Sequence, residues 1–487
     1  MSGLTASGLV LTDNGGDSLT VASGATTFTF ATKLSSGASY DVAVATQPTG
    51  ETCKVSSSAT GTVSGNESSV SVTCSGSSFS ISGTVSGLTT AGLKLKDYSG
   101  GETVSVAAGA ASFQFSQSVP YDTNVDVTVA TQPFWQACTA GASNFSGPIT
   151  SNLTTETFSC AGDTANVTTF AGSTTSGSTN GTGTSASFYG TAGVAMDSSG
   201  HIYVADTNNN EIREISPAGV VTTLAGSTTA GHADGTGSAA SFDAPTSVAV
   251  DSAGNVYVAD SFNNEIRKIA PGGIVTTFAG STNPGAADGT GSAASFRNPE
   301  GVAVDSSGNL YVADSLNNEI RMITPAALVT TFAGSVTAGS ANGSSTSASF
   351  NGPTGVAVDS SGNLYVADHN NNEIRMINLS DVVSTLAGST TAGSADGTGS
   401  AASFDGPTAV AVDSAGDVYV ADSGNNEIRL VSPLGVVTTL AGSTVAGSAN
   451  GIGSAASFDS PDGIAVSPSG QLFVGDFLNN EIRQLTP

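Results

Sequence analysis

GVAVDSSGNLYVADSLNNEIRMI, residues 301–323, occurs six times along this chain with small changes. Its arginine stands at Arg213, Arg267, Arg321, Arg375, Arg429 and Arg483, an unbroken spacing of 54. A fixed period of tens of residues means stacked units, each unable to bury its own apolar face alone. In the copy that starts at Thr354, GVAVD and NLYVAD are short Val- and Tyr-rich runs separated by SSG. That pattern predicts two strands and a tight turn. NNEIRMI supplies a third strand, with Ile374 and Ile377 as its apolar contacts, and VVSTLAG at 382–388 a fourth. Four antiparallel strands per repeat, arranged around a ring, predict a propeller blade. The helical periods of other stacked arrays are absent.

The ends of the repeat region favour a closed ring. TTFAG at 168–172 precedes any complete copy, and its equivalents begin at Thr222, Thr276, Thr330, Ser384 and Thr438. The last copy stops at Ile482-Arg483-Gln484-Leu485 with no such strand after it. The repeat region therefore opens with the strand that its last copy lacks. Pairing 167–171 with that copy removes two sheet edges, and six starts with six ends predict six blades.

F-x-x-P-x-G-[VI]-A-V-D, G-N-[LV]-Y-V-A-D and N-x-[EI]-I-R resemble NHL repeats, with a close match at 350–359 and 362–375. The resemblance covers 167–487. It implies a six-bladed β-propeller that serves as a binding platform. Some related propellers are enzymes: amidating lyases, lactonases and strictosidine-synthase-like proteins.

Only 10% of the 487 residues are charged, yet the formal net charge is −27. Residues 1–161 carry −6 of it and the remainder −21. Such a surface repels phosphate backbones, so no nucleic-acid partner is expected. No stretch approaches the length of an apolar membrane helix.

A second, longer repeat fills residues 1–161. SGLTASGLVLTDNGGDSLTVASGATTFTF begins at Ser2, and SGLTTAGLKLKDYSGGETVSVAAGAASFQF at Ser86. Both copies continue to VATQP, then to Cys53 or Cys138, and end on a strand carrying Cys74 or Cys160. Alternating strands with Gly/Asn/Asp turns predict two β-sandwiches, at 1–75 and 76–161, ahead of a propeller at 162–487. They resemble the Ig-like repeats of bacterial secreted and cell-surface proteins. One cysteine pair per sandwich, Cys53–Cys74 and Cys138–Cys160, predicts two disulfides. A metal site is the rival reading, but C-x-x-C spacing and a nearby histidine are both missing. Disulfides imply an extracellular or cell-surface location. The chain shows no signal peptide, and the second sandwich begins with a strand at 79–85 that the first lacks. An upstream strand and signal are therefore expected to have been removed.

Loops between repeats are long, as at 226–245, whereas the opposite face has short turns such as Ser306-Ser307-Gly308. Binding is expected on the long-loop face. Residues that recur in every copy read as structural. Asp206, Asp260, Asp314, Asp368, Asp422 and Asp476 should pair with the repeat arginines, and Phe188, Phe242, Phe296, Phe350, Phe404 and Phe458 should plug their loops.

Departures from the repeat carry more information. After the repeat proline, or its equivalent, stand Ala192, Thr246, Glu300, Thr354, Thr408 and Asp462. Glu300 and Asp462 belong to opposite blades, so they read as Ca²⁺ ligands, as an acid–base pair, or as solvated rim charges. The resemblance to lactonase-like enzymes implies a fuller ring of Glu, Asn and Asp, which Thr and Ala replace here. The loop after the second strand places Phe262 and Leu316 in neighbouring blades. With Arg297 they form a candidate rim for a partner, together with His369 and Phe477. His201, His232 and His369 show no zinc spacing, and neither a G-x-S-x-G elbow nor a phosphate loop is present. The expected function is a non-enzymatic, exported bacterial protein that binds a protein or glycan without a cofactor, Ca²⁺ being the one candidate ion. The alternatives are a metal-dependent channel hydrolase or lyase and a structural matrix component. Oligomeric state is not encoded in any of these features.

Overall fold

The computed structural model describes residues 1–97, 101–162 and 165–487. Residues 98–100, within the stretch DYSGGE of the second long copy, and 163–164, ahead of the repeat region, lie outside the described residues. The chain divides into two compact units. One comprises Met1–Leu88, Gly92–Gln132 and Cys138–Ala161, and the other Thr89–Ala91, Pro133–Ala137 and Gly162–Pro487.

In the first unit the two long copies repeat one sheet. Asp17–Val21, Leu9–Asp13, Ser39–Thr46 and Thr60–Thr62 lie in that order. Thr103–Ser105, Lys94–Asp97, Asn124–Thr131 and Ser146–Pro148 lie in the same order. Period-2 patterning explains the strands, because Leu9 and Leu11 of LVLTD face inward and are fully buried. The cysteines pair as expected. Cys53 and Cys74 stand opposite each other in the ladder of Glu51–Val55 with Val72–Gly76 and are disulfide-bonded, as are Cys138 and Cys160. The glutamine of VATQP clamps the first cysteine of each pair. The Cys53 N–H donates to Gln47 Oε1 at 2.7 Å and Gln47 Nε2 donates to the Cys53 carbonyl at 3.0 Å, and Gln132 treats Cys138 in the same way.

Among the described residues, the second unit holds six five-stranded antiparallel sheets. In the third, Gly289–Thr290, Leu328–Gly334, Glu319–Ile323, Leu310–Asp314 and Pro299–Val304 lie in that order. The sequence pattern predicted four strands. The fifth is a two-residue outer strand, with Gly289 opposite Val329 and Thr290 opposite Leu328. It needs only backbone hydrogen bonds, so it leaves no apolar period in its Gly-rich loop. The last sheet takes its outer long strand from the start of the repeat region: Asn166–Gly172 pairs with Glu481–Thr486, Val167 opposite Leu485. First strands of successive sheets neighbour one another, and Pro461–Val466 lies beside Thr191–Met196. Glycine permits this approach, since a Cβ on Gly301 would sit 2.2 Å from the Thr354 carbonyl oxygen.

The asparagines of NNEIR tie the sheets together. In the third repeat, Asn317 Nδ2 donates to Asp314 Oδ2 at 2.8 Å. The next residue, Asn318, adopts a left-handed φ of 56°, as asparagine tolerates. Its side-chain oxygen accepts the Gly352 N–H of the following sheet at 2.9 Å. The last such tie runs from the Gly190 N–H to Asn480 Oδ1 at 2.8 Å and joins last sheet to first. Each repeat arginine is fully buried. Arg321 Nη1 donates to Asp314 Oδ2 at 2.9 Å and to the Ser295 carbonyl at 3.1 Å, and Nη2 to Asp288 Oδ1 at 2.7 Å. Its guanidinium carbon lies 5.5 Å from the centre of the buried Phe296 ring, a cation–π contact. The six-fold Asp, Arg and Phe positions are therefore structural, as their repetition implied.

Candidate functional site

The first strands of the six sheets surround a cavity of about 470 Å³. Its wall carries Val194, Val248, Val302, Val356, Val410 and Ile464, one from each sheet. Ala192, Thr246, Glu300, Thr354, Thr408 and Asp462 also line it, so the six positions marked in the sequence do converge. The threonine hydroxyls are already engaged. Thr246 Oγ1 donates to the Glu300 carbonyl at 2.9 Å, Thr354 Oγ1 to the Thr408 carbonyl at 2.8 Å, and Thr408 Oγ1 to the Asp462 carbonyl at 3.1 Å. Each bond crosses to the next sheet, so these side chains hold the ring of strands together.

The two carboxyls share an electrostatic environment. Burial, and then the Asp462 charge, push Glu300 up to about 7, against a hydrogen bond from Asn298 Nδ2. Burial pushes Asp462 up to about 6, opposed by Thr408. Near neutral pH the pair thus holds a proton part of the time, and a cation or a hydrogen-bond acceptor would each find a matching form.

Three of the five rim candidates line the cavity, and Arg297 adjoins one of them, its carbonyl accepting the Leu316 N–H at 3.2 Å. Leu316, His369 and Phe477 line the cavity, while Phe262 and Arg297 are exposed outside its lining. The turn after each second strand explains the division. Its first residue reaches the next sheet, as when Ser261 Oγ donates to the Pro299 carbonyl at 2.6 Å. His369 Nδ1 makes the same tie to the Pro407 carbonyl at 3.2 Å, so one ring nitrogen is occupied. The middle residue points outward, which leaves Phe262 68% and Leu316 54% exposed. Ser315 and Asn370 also line the cavity and were not singled out in the sequence. The position of Ser315 within the variable turn was the available signal. His201 lies away from the cavity, 3.5 Å from Asp197.

The chain carries NHL repeats. The NHL repeat family model matches residues 188–215, 242–269, 296–321, 350–375 and 404–429, five of the six copies. NHL repeat-containing protein 2 of Bos taurus is 36% identical over 155 residues, which are 29% of this chain and 21% of that protein. The chain thus spans about a fifth of the length of this curated relative. Among solved structures, a Bacteroides thetaiotaomicron protein of unknown function matches with a TM-score of 0.54 at 20% identity, over 81% of this chain and 90% of the other. An auxiliary nutrient binding protein of the same species matches with a TM-score of 0.51 at 17% identity, over 81% and 90%. These structures share the fold.

Proposed function

We propose that the six sheets are the blades of a closed β-propeller and that this is a non-enzymatic, exported binding protein. Its ligand, a protein or a glycan, is read on the face where the long loops surround the cavity. The two N-terminal modules act as a β-sandwich stalk. The observation that carries this reading is the cavity itself, where a valine-rich wall meets a rim of Leu316, Phe477 and half-buried polar groups. A concave, mostly apolar site with a few placed polar groups suits recognition. Two disulfides favour an oxidising compartment.

The raised Glu300–Asp462 pair is the observation that favours a second reading, a metal-dependent channel hydrolase or lyase. Ca²⁺ takes six to eight oxygen ligands. Two carboxylates among engaged threonines fit that number poorly. The test is a protein and glycan array probed with the whole chain, followed by calorimetry with Ca²⁺ on the wild type and on Glu300→Gln/Asp462→Asn. A specific ligand weakened by roughly 1–2 kcal/mol in Phe262→Ala or Leu316→Ala supports the binding platform. Tight Ca²⁺ binding that the double variant loses, with lactone or ester turnover lost alongside, would overturn it.

A further inference from the structure

The mouth of the cavity carries an unbalanced charge. Pro299 stands opposite Asp314 at the end of the second strand, so Glu300 lies one residue inside the mouth and Val302 three. Glu300 and Asp462 come from the third and sixth sheets, line the same space, and the Asp462 charge is felt at Glu300. Among the described residues no lysine or arginine lines the cavity, and Arg297 stands outside it. Asn298 Nδ2 donates to one Glu300 oxygen, and the other has no hydrogen-bond partner among the described residues. Thr246 and Thr354 commit their protons to backbone carbonyls, and only Thr408 is placed to ease Asp462. A sheltered carboxyl pair without a countercharge is unfavourable, so a ligand that supplies one is favoured.

Apolar side chains gather on one side of this mouth. The outward residue of the turn after the second strand is Leu478 in the sixth sheet, Phe262 in the second and Leu316 in the third, and all three are exposed. In the first sheet that residue is Asn208, whose N–H donates at 3.0 Å to the carbonyl of exposed Tyr189. Pro461–Val466 neighbours Thr191–Met196, so the four apolar residues stand on successive sheets. The fourth and fifth sheets carry Asn370 and Gly424 at the turn position instead.

We propose, on the reading of this face as the binding face, that the cavity receives the side chain of a lysine from a partner polypeptide, whose apolar neighbours cover the arc of Leu478, Tyr189, Phe262 and Leu316. An ammonium is a compact charge with three donors, able to serve two carboxyls that converge from different sheets. An arginine fork matches a single carboxylate in one plane. Leu316 and Phe477 line the mouth and would flank the apolar stem. A neutral glycan would leave the carboxyl pair unbalanced, which selects the polypeptide.

The probe is the acetylated and amidated peptide Gly-Phe-Lys-Leu-Gly, added to the intact chain and followed by calorimetry. Saturable one-to-one binding is expected. Norleucine in place of the lysine keeps the stem and removes the charge, and should weaken binding by about tenfold or more. Glu300→Gln/Asp462→Asn should lose a similar factor. Leu478→Ser, at an exposed position that leaves folding alone, should weaken the peptide by about threefold or more. Butylamine, which cannot cover the arc, should bind about tenfold more weakly than the peptide. No saturable binding of the peptide overturns the proposal, as does equal binding of the norleucine peptide or unchanged affinity in both variants. Butylamine binding as tightly as the peptide overturns the polypeptide source and assigns the site to a free amine. An array ligand that binds this face without a lysine overturns the lysine assignment and leaves the binding platform standing.

Discussion

Asp417→Asn should stabilise the second unit by an amount that grows with pH. In three sibling repeats the residue four places after the turn aspartate is asparagine. Asn255, Asn309 and Asn363 donate from Nδ2 to Oδ2 of Asp251, Asp305 and Asp359 at 2.7, 2.8 and 2.8 Å. The fifth repeat has Asp417 instead, 1% exposed, beside Asp413. Asp413 takes the Tyr419 hydroxyl at 2.9 Å, while neither Asp417 oxygen makes a hydrogen bond of good geometry. Burial, and then the Asp413 charge, push Asp417 up to about 8, against a weak pull from the Ala91 N–H. The folded chain therefore keeps a proton that the unfolded chain releases near the ordinary value of 3.8. Stability falls as pH rises between those values and levels off above the upper one. At about 1.4 kcal/mol per pH unit, the ceiling at pH 7 is roughly 4 kcal/mol, and local relaxation reduces it to about 2. Asparagine stays neutral and restores the sibling hydrogen bond. Urea unfolding of both proteins at pH 4.5 and 8 should show a gap that widens by about 2 kcal/mol at the higher pH. Other titrating groups are common to both proteins and cancel. A gap that is the same at both pH values, or a less stable variant, would refute the reasoning.

Arg321→Lys should cost about 3–5 kcal/mol in thermal or urea unfolding. A single ammonium cannot serve Asp314, Asp288 and the Ser295 carbonyl from one buried position. Deleting residues 167–172 should lower the melting temperature of the last sheet and promote aggregation through the exposed Glu481–Thr486 edge; an unchanged melting temperature would remove that strand from the closure.

The repeat architecture was legible because each copy carries the same apolar pattern and a buried Asp–Arg pair. The 54-residue spacing of Arg213 to Arg483 counts the sheets directly. Cysteine spacing gave both disulfides, and departures from the repeat led to Glu300 and Asp462 in the cavity. The Gly289–Thr290 strand was not legible, because two backbone-paired residues impose no side-chain pattern. Sequence spacing does not tell which residue of a tight turn points outward, and here Phe262 does while Ser261 reaches the next sheet. Asp417 was legible in principle. GD in place of GN breaks the turn pattern, but the cost of that change appears only once burial is known.

Pairing of Asn166–Gly172 with Glu481–Thr486 sets an order of events during synthesis. Thr169 and Glu481, which meet in the closing sheet, are separated by 312 residues. At typical elongation rates of roughly 5–20 residues per second, the early strand waits about 15–60 s for its partner to be made. Five sheets can be complete while the sixth lacks its own partner strand, so the nascent chain carries two open edges until Glu481–Thr486 has been made. A message truncated anywhere in the last repeat leaves those edges permanently unpaired. The last sheet thereby couples solubility to synthesis having continued through Glu481–Thr486.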